Sequence, residues 1–310
     1  MPDPIPDKET LEFYRQQSPL SSPGRHSAVL ETLPTDPAEL CRVIQGFLVH
    51  QFWVMDEANY GISPGSLKAD GRDLNAEINL RSIEVMLDAV FKLDESPLDA
   101  SRVPARRLVG NCRDYSLFVT SVLRIHGIPA RVRSGVARYF YPDDVRLEDH
   151  YVCEFWNSDT NRWQMVDAQI DERQRQVLGC TLDTTDLPRD QFLVGVEAYH
   201  ELNDGRVTEE KIGIGEFTGW PYVWYTLFTD LACVCGCEIL PWEGWGVVDR
   251  ISSDTLSEGD RRLLGQIVEV LNDLESPGGI ARARELFTTD PDLVLPADYR
   301  PYFHRLSAFT

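Results

Sequence analysis

Residues 112–136 constrain this chain more than any other stretch, because the hydrophobic period changes within them from that of a helix to that of a strand. Leu117, Phe118, Ser121, Val122 and Ile125 recur at helical spacing from Cys112 onward, and His126-Gly127 breaks the run. Ala130, Val132, Ser134 and Val136 then alternate with Arg131, Arg133 and Gly135, the two-residue period of a strand. His150 to Phe155 and Trp163 to Ala168 read as two further strands, and Asn157-Ser158-Asp159-Thr160-Asn161 between them suits a hairpin connection. A helix followed by sequential strands predicts an α+β fold with the cysteine helix packed on an antiparallel sheet, rather than alternating βαβ units.

Three segments are expected along the chain. Residues 1–35, rich in proline and serine (Pro2, Pro4, Pro6, then SPLSSPG), read as an extended lead-in. Residues 36–200 read as the core. It opens with Asp36 as an N-cap ahead of Pro37 and Glu39, and Leu40, Ile44, Phe47, Phe52 and Met55 follow at near-helical spacing. Ile83, Met86, Leu87, Val90 and Phe91 predict another helix. Residues 201–310 read as a mostly helical extension packed on the core. There Trp224, Leu227, Phe228 and Leu231 mark a buried helix, and Leu263, Leu264, Ile267, Leu271 and Leu274 an amphipathic one.

Charge and cysteine content narrow the function. Thirty basic against 50 acidic side chains leave a formal charge of −20, which argues against nucleic acid and anionic membrane surfaces as partners. Seven cysteines without framework spacing point to a reducing compartment, and MPDPIPDKET has neither a basic start nor an apolar run. The apolar stretch from Tyr222 to Leu240 carries Asp230 and reads as a buried helix, not a membrane span. A cytoplasmic protein is expected.

Cys112 is the chemical lead. A helix N-terminus offers partial positive charge and free N–H groups, which lower a thiol pKa and can stabilise an oxyanion. His150 starts a strand 150 − 112 = 38 residues later, and Asp167 ends the next strand after 167 − 150 = 17 more. Antiparallel strands can set the start of one beside the end of the other, so His150 and Asp167 can pair with the imidazole turned toward Cys112.

These residues resemble the transglutaminase-like core. Gly110 and Cys112, Gly127 to Arg131, Asp149, His150 and Glu154, and Trp163 with Asp167 match its signature over roughly 105–170. FLVHQFW, VDAQID and LPWEGWG look like a bacterial group within that superfamily. The resemblance implies a papain-like fold and the roles of nucleophile, base and orienter for Cys112, His150 and Asp167. It departs after the acid, where Ala168-Gln169 replaces the usual Pro-Thr or Pro-Ala. The implied activity is thiol-dependent acyl transfer on a peptide-like or small-molecule amide or ester, through a thioester released by water or an amine, with a lean to hydrolysis. A catalytically idle binding module is the competing reading. No cofactor is expected, and the lack of an acidic calcium loop gives no support for calcium activation.

The remaining candidates are weighed against blander roles. Trp53, Asn75, Asn79 and Asn111 are candidates for the second oxyanion donor. His50 with Trp53, Asp56 and Tyr60 either lines the cleft or is an ordinary helix residue. Arg131, Arg133 and Arg138 read first as solvated ion pairs and second as a seat for an anionic substrate group. Between 101 and 140 Asp114 is the one carboxylate among many arginines. Cys233, Cys235 and Cys237 read as packed thiols on a helix rather than a metal site. Cys41, Cys153 and Cys180 read as structural, and His126 as a helix C-terminal cap. Trp220, Trp224, Trp242 and Trp245 read as a core cluster, less often a lid.

Overall fold

The computed structural model describes residues 5–297 apart from 142, 143, 145, 253 and 254. The lead-in is not wholly extended. The Asp7 carboxylate accepts the Thr10 N–H at 2.7 Å and opens helix α1 (Lys8–Arg15). Tyr14 of α1 is buried, its hydroxyl donating to the Val234 carbonyl at 3.1 Å. Two turns are too short for a periodic signal to stand out, and tertiary contacts hold this helix in place.

Helix α2 (Pro37–Phe47) starts on Asp36, whose carboxylate accepts the Glu39 N–H. It stops at Phe47. The chain passes into strand β1 (Leu48–His50), so Phe52 and Met55, 59% and 68% exposed, do not continue the helical face. Helix α3 (Ile83–Leu93) follows, then strand β2 (Leu108–Gly110), which pairs parallel with β1 and sets Gly110 opposite His50. Helix α4 (Cys112–Ile125) begins two residues later and ends before Gly127, whose φ of +74° suits glycine. Leu117, Phe118 and Val122 are fully buried on it, each contributing about 1.5–3 kcal/mol of burial. Phe118 meets Phe47 of α2 edge to face at 5.0 Å.

Strands β3 (Ala130–Ala137), β4 (Leu147–Asn157) and β5 (Arg162–Val166) come next. After them lie helix α5 (Glu172–Leu178), strand β6 (Phe192–Val194) and helix α6 (Gly195–Asn203). Strands β7 (Ile212–Ile214) and β8 (Phe217–Thr218) precede helices α7 (Gly219–Val234), α8 (Glu258–Asn272) and α9 (Gly279–Thr289). The main sheet runs β6-β3-β4-β7-β8, with β5 also on β4. Helix α4 packs on β3 and β4, and α7 on β3. The result is an α+β architecture. Strands β7 and β8 lie inside the segment expected to be mostly helical, and at two or three residues each they are too short for a period to mark them.

The outer edge of β4 is shared. Its first residues, Leu147 and Glu148, pair parallel with β7, and Cys153 to Asn157 pair antiparallel with β5. Residues 149–152 lie between these ladders. His150 is in this notch, and Asp167 follows the last residue of β5. Among the described residues no helix is long and apolar enough to cross a membrane.

Candidate active site

The parallel pairing of β1 with β2 delivers two residues to one place: His50 at the end of β1 and, just past β2, Cys112 at the first turn of α4. Asp114 secures that turn, its Oδ2 accepting the Asn111 N–H at 3.0 Å. Arg113, fully buried, donates through Nε to the Glu238 carbonyl at 2.7 Å and through Nη2 to the Arg81 carbonyl at 2.7 Å. Cys112 is 7% exposed and lines a cavity of about 240 Å³ with His150, His50, Phe52, Trp53, Phe140, Tyr141, Glu148, Asp149 and Gln169.

His150 and Asp167 meet as the strand spacing predicts, Nε2 to Oδ2 at 2.9 Å. Oδ2 also accepts the Tyr139 hydroxyl at 2.7 Å, and Oδ1 accepts the Gln169 N–H at 2.9 Å. Burial alone would raise the Asp167 pKa. The charge and hydrogen bond of His150, with Tyr139 and the Gln169 N–H, outweigh it and hold the carboxyl below its ordinary range. With Nε2 donating to a carboxylate, Nδ1 is left as the basic nitrogen. Phe140 packs edge-on to the imidazole at 4.9 Å, and Tyr139 and Phe192 at 6.1 and 6.3 Å. Gly135 lies opposite His150 on β3, and a Cβ there would come 2.1 Å from the Leu193 carbonyl oxygen of β6. Gly135→Ala is therefore expected to cost about 1–3 kcal/mol, read as a lower urea midpoint.

The Cys112 thiol departs from expectation. Burial, then the charges of Asp149, Asp114 and Asp167, raise its pKa well above the ordinary value, against a lowering by the Arg113 N–H. The helix terminus supplies its pull, and desolvation wins. His50 is pushed down to about 3, by burial and then by His150, so it is neutral near pH 7. Asp149, whose Oδ1 accepts the Tyr222 hydroxyl at 3.0 Å, is raised by burial to about 6.

Several candidates fall elsewhere. Arg131 and Arg133 are neither solvated nor free for substrate. Arg131 bonds Glu154 at 2.6 Å and Glu275 at 2.5 Å, its guanidinium 4.1 Å from the Trp163 ring centre. Arg133 holds Asp230 through Nε and Nη2 at 2.9 and 2.8 Å and Glu154 at 3.0 Å. Neither lines the cavity. Arg138 pairs with Glu201. The arginines of the core thus face internal carboxylates brought from distant sequence, which local spacing cannot reveal. Asn79 Oδ1 accepts the Trp242 indole N–H at 3.0 Å and Asn79 Nδ2 donates to Asn75, away from the cavity. Tyr60 stands behind the cavity, donating to Asp171 Oδ2 at 2.8 Å. Trp53 lines the cavity. Asn111 adjoins Cys112, and its buried Oδ1 and Nδ2 have no partner among the described residues.

The tryptophans form no single cluster. Trp220 and Trp224 stack near Tyr199, Trp245 packs on Phe228, and Trp242 is 44% exposed. Helix α7 ends at Val234, so Cys233, Cys235 and Cys237 do not share one helix. All seven cysteines are buried free thiols, and Thr120 Oγ1 of α4 lies 3.3 Å from Cys153 Sγ. His126 is the C-terminal cap residue of α4. Sequence reasoning missed Tyr139 and Gln169; the step from Pro-Thr to Ala-Gln after the acid was the signal available for the second.

A cysteine opening a helix, sharing a cavity with a histidine held by a carboxylate, is the arrangement that thiol acyl-transfer sites use. Residues 81–168, which hold α4, β3, β4 and β5, match the transglutaminase-like superfamily. No curated protein and no solved structure matches the chain.

Proposed function

We propose that the chain is a cysteine-nucleophile acyl-transfer enzyme of papain-like arrangement, acting on an amide or ester carbonyl. Cys112 Sγ bonds to the carbonyl carbon while its proton passes to His150 Nδ1, and Asp167 holds the ring and stabilises its charged form. The imidazolium then returns the proton to the leaving nitrogen or oxygen, and a thioester remains on Cys112. Water drawn to the same nitrogen releases the acid, and an amine would release an amide instead; hydrolysis is the preferred reading. The Cys112 N–H, at the start of α4 where no intrahelical acceptor exists, is one oxyanion donor. Trp53 and Asn111 are the candidates for the other. Because burial keeps the resting thiol protonated, proton transfer accompanies attack rather than preceding it.

The observation that carries this reading is His150, paired with Asp167 at 2.9 Å, lining one cavity with Cys112. The raised Cys112 pKa favours a second reading, a transglutaminase-like binding module without turnover. Iodoacetamide labelling near neutral pH, read by peptide mass spectrometry, separates them. Selective labelling of Cys112 that is lost in His150→Ala is expected. Equal, slow labelling of all seven cysteines would sink the enzyme reading.

A further inference from the structure

Among the described residues no lysine or arginine lines the Cys112 cavity, whereas Glu148 and Asp149 do, beside the rings of Phe52, Trp53, Phe140 and Tyr141. A second observation concerns Gln169, which is 2% exposed and lines the same cavity. Its orientation is set by a relay. Asp171 can only accept, so the Tyr60 hydroxyl donates to it at 2.8 Å and accepts from Gln174 Nε2 at 3.2 Å. Gln174 Oε1 then accepts from Gln169 Nε2 at 3.3 Å. The free end of Gln169 is thereby its carbonyl oxygen, buried and without a partner among the described residues. A buried unpaired acceptor is costly unless a ligand supplies the donor.

We propose that this cavity selects a substrate carrying a positively charged, N–H-bearing group, an ammonium or guanidinium, seated among Glu148, Asp149, the aromatic rings and Gln169 Oε1. Gln169 is a specificity residue in this scheme, and Asp171, Tyr60 and Gln174 are positioning residues. The chain's own cation illustrates the chemistry: the Arg146 guanidinium rests 5.1 Å from the Tyr141 ring centre, with Nε 3.1 Å from Glu148. Burial raises the pKa of both Glu148 and Asp149, and a bound cation would offset that cost. The proposal takes Cys112 as the reacting centre from the acyl-transfer reading, but its test needs only an accessible thiol.

Three methanethiosulfonates differing in charge (aminoethyl, methyl and sulfonatoethyl) are reacted with the full chain. The rate at Cys112, read by mass spectrometry, is divided by the rate of each reagent with 2-mercaptoethanol. The cationic reagent is expected to exceed the anionic one by about tenfold or more. Glu148→Gln and Asp149→Asn should each reduce that ratio several-fold, Gln169→Met should reduce it too, and Arg146→Gln should raise it. Glu285→Gln, on the exposed face of α9, should leave it unchanged. A normalised anionic rate equal to or above the cationic one would overturn the proposal, as would a ratio indifferent to Glu148 and Asp149. Either result with His150-dependent labelling intact leaves the acyl-transfer reading standing, whereas a Cys112 closed to all three reagents overturns both.

Discussion

Asp167→Asn is expected to lower turnover of an activated ester such as p-nitrophenyl acetate by about 10³–10⁴, with little change in fold. The reason lies in what Asp167 receives. Oδ2 accepts from His150 Nε2 and from the Tyr139 hydroxyl, and Oδ1 accepts the Gln169 N–H. Every neighbour is a donor. An asparagine amide must therefore turn its own N–H₂ toward at least one of them. If it faces His150, the imidazole is driven to the other tautomer and Nδ1 ceases to be a base. If it faces Gln169, the His150 contact survives, but the negative charge that stabilises the imidazolium is lost. Measuring the rate together with its pH profile checks the claim: a purely structural role would lower activity evenly across pH, and loss of the charge moves the profile. An Asp167→Asn protein with wild-type turnover would remove the triad from the account.

Glu154→Gln is the substitution expected to cost most stability, about 3–5 kcal/mol. Glu154 is fully buried and meets Arg131 at 2.6 Å, Arg133 at 3.0 Å and Arg189 at 2.5 Å. Neutralising it leaves the buried guanidiniums of Arg131 and Arg133 with Glu275 and Asp230 alone, while Arg189, 40% exposed, can turn to water. Burial alone would raise this carboxyl, yet Arg131, Arg189 and Arg133 hold it far below its ordinary range. A group depressed on folding contributes stability above its unfolded pKa, about 4.3 for Glu, and loses that contribution as pH falls toward the folded value. The wild type should therefore lose stability steeply below about pH 4, and Glu154→Gln should flatten that dependence. Urea melts at pH 7 and pH 3.5 would read both effects. Removing Glu84, whose partner Arg25 is 56% exposed, should cost under about 1 kcal/mol.

The sequence carried the helix of Cys112, the three strands after it and the His150–Asp167 pairing, because each rests on short-range period and spacing. It also carried the Asp36 cap and the buried helix around Leu227. What it withheld depends on contacts across long separations. The pairing of LVH at 48–50 with LVG at 108–110 brings His50 to the site, yet two apolar triads announce nothing locally. The lone carboxylate between 101 and 140 among so many arginines is legible, although Arg131, Arg133 and Arg138 read first as solvated ion pairs. Buried guanidiniums demand partners, so it was a request for acids from elsewhere. The Asp171–Tyr60–Gln174–Gln169 relay joins two parts of the chain more than 100 residues apart, and no spacing rule finds it.

That request has a bearing on how the chain is made. Arg133 waits for Asp230, 97 residues on; Arg124 for Glu238, 114 on; and Arg131 for Glu275, 144 on. During synthesis the segment carrying Cys112 leaves the ribosome well before the distant acids that pair with its core arginines. Until residue 275 has emerged, closing that core would bury Arg124, Arg131 and Arg133 with Glu154 as the one acid of their own segment that pairs with them, so final packing is largely postponed until after translation of α8. The same dependence makes residues 81–168 a poor unit to excise: the stretch that matches the superfamily borrows its charge balance from the far end of the chain.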